Sequence, residues 1–118
     1  MNNEAKRFLD LISSSSAHWH FQTFSDDKSS KGGSTPQGPF DSMMSDQLDV
    51  FNKHGNGIFV AINLHSPNKP RRKNTTTTIN AIFADFDDSD TALGQVSAMA
   101  DLLMPTVTVE SSPGKYHV

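Results

Sequence analysis

Asp85 and Asp87, separated by Phe86, stand at the end of an apolar run from Ile79 to Ala84. On a β-strand, residues i and i+2 project to the same side, so both carboxylates face one way, about 7 Å apart along the chain. Carboxylates held that close repel each other and favour a cation between them. Hard divalent ions such as Mg²⁺ or Mn²⁺ take oxygen ligands and keep waters that substrate phosphates can replace. A pair of such ions activates an attacking hydroxyl and clamps the leaving phosphate. Taken alone, the pair reads equally as a strand running out into a solvated acidic turn.

A second constellation runs from Glu110 to His117. The turn Ser112, Pro113 and Gly114 is followed by Lys115, Tyr116 and His117. Backbone N–H groups, a hydroxyl, a lysine and a histidine offer an anion several donors. By itself the segment is a hairpin turn with a lysine in it. A third feature is charge: four of the ten basic residues, Lys69, Arg71, Arg72 and Lys73, lie within five positions. Such a stretch suits template phosphates or a triphosphate, with salt-dependent contacts. It reads equally as a solvated loop.

The elements that must position these groups follow from periodicity and punctuation. Asn3 caps a short helix with Ala5, Phe8, Leu9 and Ile12 on one face. His18 to Phe24 reads as a strand, with Trp19, Phe21 and Thr23 on one side and His18, His20, Gln22 and Phe24 on the other. Ser25 to Pro39 is rich in Ser, Gly, Pro and charge and reads as a mobile loop. Asp41 caps a second helix with Met44, Leu48 and Phe51 inward and Gly55 as its stop. Ile58 to Leu64 reads as a strand. His65 to Thr76 reads as a connector broken by Pro67 and Pro70. Ile79 to Phe86 reads as a third strand. Ser89 or Asp90 caps a helix carrying Leu93, Val96, Met99 or Ala100, and Leu103, ended by Pro105. Thr106 to Glu110 is a fourth strand, and Tyr116 to Val118 begins another. The order αβαββαββ points to an α+β fold, a mixed β-sheet with helices against it. Trp19 is expected as a core anchor, and His54 and His65 as surface residues.

Composition bounds the rest. The chain has 118 residues, enough for one domain, with 35% hydrophobic residues and a net charge of −3. The charge does not suggest a nucleic-acid coat protein, but four of thirteen acids, Asp85, Asp87, Asp88 and Asp90, cluster just downstream of the basic stretch. The absence of cysteine excludes disulfides and thiolate zinc sites, and makes a reducing cytoplasm the simplest expectation. No apolar run reaches the length of a membrane span, and Met1 to Asp10 lacks the apolar stretch of a signal peptide.

Ile82 to Asp87 and Ser112 to His117 together resemble the archaeo-eukaryotic primase superfamily. Its first motif is a hydrophobic strand ending in D-x-D, and its second a short turn ending in histidine. Within it the chain looks most like the RepB-like DNA primases of plasmids and phages. The resemblance extends to Trp19 through Phe24, to Asn52 through Asn63, and to Arg71 and Arg72; it spans most of the chain outside Ser25 to Pro39. It implies a primase-polymerase-like fold with a mixed central sheet, and a catalytic domain that joins NTPs or dNTPs on a DNA template in plasmid or phage replication. Asp85 and Asp87 would hold Mg²⁺ or Mn²⁺. His117, helped by Lys115, would contact the phosphates of the incoming nucleotide. The family places a serine two residues before the histidine, where this chain has Lys115, which leaves the turn serine Ser112 for that task. Arg71, Arg72 and Lys73 fall to template or triphosphate phosphates. The family also uses a third acid on a later strand. Residues 1–118 are therefore expected to be the N-terminal part of the catalytic domain, inactive alone, with a downstream helicase or binding domain among its partners.

Three other readings stand beside this one. His18, Trp19 and His20 have the His-bulky-His form of rolling-circle nicking enzymes, but those use a tyrosine on a helix, and Tyr116 is expected on a strand. Asp85 to Ser89 is similar to the D-x-D start of haloacid-dehalogenase-type phosphohydrolases, with Asp88 in place of the usual glycine. The last reading is a non-catalytic nucleic-acid-binding module of a replication protein.

Overall fold

A computed structural model describes residues 1–16, 18–29, 32–87, 91–102 and 104–118, with the side chains of 93 and 100–102 left undescribed. The fold is α+β, with three α-helices and short antiparallel strands. Two compact units divide it, Met1–Ala81 and Ile82–Val118.

The first unit opens with helix α1 (Asn3–Ile12). Its N-cap is Asn2 rather than the expected Asn3: the Asn2 side-chain oxygen accepts from the Ala5 N–H at 3.0 Å. Asn2 also donates its own N–H to the buried Ser45 hydroxyl, which ties the cap to the next helix. Strand β1 (Trp19–Ser25) follows, and its alternation buries Trp19, Phe21 and Thr23 on one face. Trp19 and Phe21 meet Leu9 from α1 and Met44 and Leu48 from helix α2 (Ser42–Lys53), with Phe8, Phe40 and Ile58 packed around them. Asp41 caps α2 through the Met44 N–H, and Gly55 leaves the helix at φ +82°, a left-handed conformation suited to glycine.

Strand β1 is central to its sheet. Strand β3 (Asn56–Val60) pairs with it antiparallel over five positions, Phe21 opposite Val60 through Ser25 opposite Asn56. On the other edge lies β2 (Gln37–Gly38), so the segment expected as a mobile loop is paired in its second half. Phe21 and Thr23 donate backbone N–H groups to Pro36 and Ser34. Gly33 passes so close to β1 that an added Cβ would collide with the Thr23 carbonyl oxygen. The expected strand from Ile58 to Leu64 ends at Val60, and β4 (Leu64–His65) restarts in a separate two-stranded sheet with β5 (Thr76–Thr78). A 3₁₀ turn (Lys73–Thr75) leads into β5.

The expected strand from Ile79 to Phe86 is shortened to its last two residues. Asn63 is the reason: its side-chain oxygen accepts the N–H groups of Asn80 and Ala81, and Asn80 returns an amide bond to the Ile62 carbonyl. A side chain thereby takes the backbone donors a ladder would use. Ile79, Ile82 and Phe83 are left 65%, 82% and 66% exposed.

In the second unit, β6 (Asp85–Phe86), β8 (Lys115–His117) and β7 (Val109–Ser112) form an antiparallel sheet in the order β6-β8-β7. Helix α3 (Ala92–Leu102) lies against β6 and β8. The expected caps Ser89 and Asp90, and Leu103, lie outside the described residues. The expected fourth strand is displaced towards the turn and begins at Val109. All described strand pairs are antiparallel and divided among three small sheets, where a single mixed sheet was expected. Short strands broken by side-chain hydrogen bonds cannot extend one ladder across the chain.

Candidate functional site

Asp85 stands directly opposite His117 in the β6–β8 ladder, and Phe86 opposite Tyr116. The ladder continues one step past the strand ends, where Ala84 and Val118 exchange backbone hydrogen bonds of 2.9 and 3.0 Å. Strand alternation then sorts the side chains. Phe86 and Tyr116 are half-buried, whereas Asp85, Asp87, Lys115 and His117 are exposed. Asp87 follows directly after β6, and a continued register would bring it across from Lys115. The exposed side of this sheet carries Asp85, Lys115 and His117.

The turn fixes the spacing. Ser112 pairs with Lys115, leaving Pro113 and Gly114 as the two central residues, with Gly114 at φ +74°. Proline followed by a left-handed glycine is the signature of a type II turn. Glu110 braces it, accepting from the Gly114 N–H at 3.2 Å and the Tyr116 hydroxyl at 3.3 Å. Ser111 donates to the Lys115 carbonyl, while Ser112 is exposed beside the turn.

Asp85 and His117 are in contact: Oδ1 and Nε2 are 3.2 Å apart, an ion pair when the ring is protonated. About half of each side chain remains open to solvent, 52% and 49%, so the pair is accessible from outside. Exposed pairs of this kind contribute only about 0–1 kcal/mol to folding. Asp85 with Asp87 two residues on would suit a cation that keeps most of its waters, as Mg²⁺ does. Among the described residues no group of three or more His, Asp or Glu side chains converges as a metal site. The neighbouring Asp88 and Asp90 lie outside the described residues.

Arg71, Arg72 and Lys73 belong to the first unit and are exposed. The Arg72 N–H donates to the Thr75 hydroxyl, which shapes the turn from which these side chains project. Among the described residues none of them has a carboxylate partner.

Tyr116 lies on a strand, and partial burial, the nearby Glu110 charge and a hydrogen bond to Glu110 hold its phenol above the ordinary value. That direction is opposite to the one that would favour the phenol as a nucleophile.

A grouping the sequence reading passed over is a row of three histidines. The rings of His18 and His20 are 5.2 Å apart and those of His20 and His65 are 5.5 Å apart. His20 is buried and His65 half-buried, where an ordinary surface position was expected for His65. The His18–His20 spacing signals a shared strand face. The third member comes from β4 and leaves no trace in local spacing. His54 is exposed at the end of α2, its Nδ1 2.7 Å from the Val50 carbonyl.

Comparison with protein-family models, with curated proteins and with solved structures returns no match to this chain.

Proposed function

We propose that the β6–β8 face is a metal-dependent nucleotidyl-transfer site of the DNA primase or primase-polymerase type, in a primase-like fold serving plasmid or phage replication in the cytoplasm. The observation that carries the reading is the direct pairing of Asp85 with His117, which joins the first carboxylate of the D-x-D motif to the end of the turn motif on one exposed sheet face. In this reading Asp85 and Asp87 hold Mg²⁺ or Mn²⁺, which supplies charge neutralisation for the reacting phosphates. Lys115 and His117 donate to the phosphates of an incoming NTP or dNTP, and Ser112 adds a hydroxyl at the turn. Asp85 would be shared between a cation and His117, whose Nε2 lies 3.2 Å from it and would be the donor nearest to a bound phosphate. Arg71, Arg72 and Lys73 contribute phosphate contacts to the DNA template.

Primer extension tests the transfer itself, with labelled dNTP or NTP, Mn²⁺ and a primed single-stranded template. A protein containing residues 1–118 should extend the primer, and Asp85→Asn or Asp87→Asn should abolish extension. Extension surviving both substitutions would overturn the assignment.

A non-catalytic nucleic-acid-binding module is the second reading, favoured by the lack of a third converging ligand among the described residues. It requires DNA binding that is indifferent to Mn²⁺ and to Asp85→Asn.

A further inference from the structure

One face of α2 borders a cleft that it shares with α1 and β3. Ser45, Leu48, Asp49 and Asn52 recur at i, i+3, i+4 and i+7, a helical stripe about 10 Å long, and all four line this cleft. Its volume is about 310 Å³, and every lining residue belongs to the first unit. Away from α2 the lining is mostly apolar, with Phe8 from α1, Ile58 and Val60 from β3, and the rings of Phe21 and Phe40. Those last two rings pack 6.0 Å apart at a tilt of 44°. The helices that border the cleft are tied together by the Asn2 N–H, which donates to the buried Ser45 hydroxyl at 2.9 Å. A mostly apolar, pre-formed concavity of this size with a few polar groups on one wall has the composition of a small-ligand site.

Charge then narrows the ligand. Asp49 is the only charged residue in the lining, and among the described residues its carboxylate has no cationic partner within ion-pairing distance. A cation borne on an apolar body matches both walls. The body leaves water against phenylalanine and aliphatic side chains, while the positive charge meets the carboxylate and is attracted by the faces of the aromatic rings. An anion is repelled by Asp49, which argues against a nucleotide or a nucleic-acid strand in this cleft. A neutral apolar molecule fills the space and leaves the carboxylate unmatched.

We infer that this cleft binds a small organic cation, an ammonium group carried on an aromatic or branched apolar body. The body packs against Phe8, Phe40 and Val60, and the ammonium donates to the Asp49 carboxylate. Asn52, one turn further along α2, adds an amide oxygen as a second acceptor on the same wall. The site uses no residue of the β6–β8 face, so it stands independently of the nucleotidyl-transfer reading.

The test is titration of the 118-residue chain with three probes of similar shape, phenethylammonium, phenethyl alcohol and phenylpropionate. Amide chemical shifts of isotope-labelled protein, at neutral pH and low salt, follow the binding. Ligands this small bind at roughly millimolar concentrations. The ammonium should bind about three- to tenfold more tightly than the alcohol, the worth of one charge-assisted contact at an open site, and the carboxylate more weakly than either. Asp49→Asn, at an exposed position, should reduce the ammonium to the affinity of the alcohol and leave the melting temperature unchanged. Ala5→Leu adds bulk at a lining position on a helix that accepts leucine, and should weaken all three probes. A preference for the ammonium that vanishes in Asp49→Asn, together with weaker binding in Ala5→Leu, supports the site. Equal affinity for ammonium and alcohol, a preference that survives Asp49→Asn, undiminished binding in Ala5→Leu, or no shift with any probe overturns it.

Discussion

Asp85 and His117 touch each other while each remains half open to water, which separates their chemistry from the stability of the fold. An exposed pair of this type is worth about 0–1 kcal/mol, so His117→Ala should leave the melting temperature nearly unchanged. In the proposed site the same change removes a phosphate donor. Nucleotide binding should fall by roughly tenfold or more, the worth of one charge-assisted hydrogen bond, while template binding changes little. Calorimetric titration with nucleotide and anisotropy with labelled template measure the two; equal losses in both would contradict the role. His65 gives a pH prediction at the same scale. Burial, His20 and Arg71 hold its folded-state value below 6.5, so protonation favours the unfolded chain. The stability contributed by the neutral ring is complete above 6.5 and is lost as pH falls through the lower folded-state value. Thermal melts should show that decline, and His65→Gln should make it shallower.

The hairpin between β7 and β8 sets the position of His117. Gly114 occupies φ +74°, where an L side chain costs about 1–2 kcal/mol. Gly114→Val should therefore lower stability by about that amount and disturb nucleotide binding through Lys115 and His117, even though Gly114 itself carries no reactive group. Gly33 is the counterpart in the first unit. Its Cβ would collide with the Thr23 carbonyl, so Gly33→Ala should destabilise by about 1–3 kcal/mol, read by chemical denaturation. Both glycines are visible in sequence, but only the Pro113–Gly114 turn announces its purpose, because proline before glycine is a local code. Local codes also disclosed the Asp41 cap, the Gly55 stop and the alternation of Trp19, Phe21 and Thr23. The segment Ile79 to Ala84 was not legible in the same way. Its apolar run is that of a buried strand, but Asn63, seventeen residues before Asn80, captures its backbone donors. Periodicity carries no information about such a partner.

At the scale of the whole chain, the α+β class was readable from the order of elements, whereas its division into three small sheets was not. Register across sheets depends on non-local hydrogen bonds such as those of Ser34 and Pro36 to β1. The same distinction applies to function. Asp85 and His117 are thirty-two positions apart in sequence, and it was the pairing of two motifs rather than either alone that led to them; the structure puts them opposite each other. The histidine row, by contrast, joins β1 to β4 through contacts no motif describes. Among the described residues no helix is long and apolar enough to cross a membrane. Asp85, Asp87 and His117 are proposed to form one metal-dependent nucleotide site. Its most direct test is calorimetric titration of the 118-residue chain with a deoxynucleoside triphosphate, with and without Mn²⁺. Binding should show a Mn²⁺-dependent component that disappears in the Asp85→Asn, Asp87→Asn double variant while the melting temperature holds. A Mn²⁺-dependent component of equal strength in the wild type and the double variant, or none in the wild type, would contradict it.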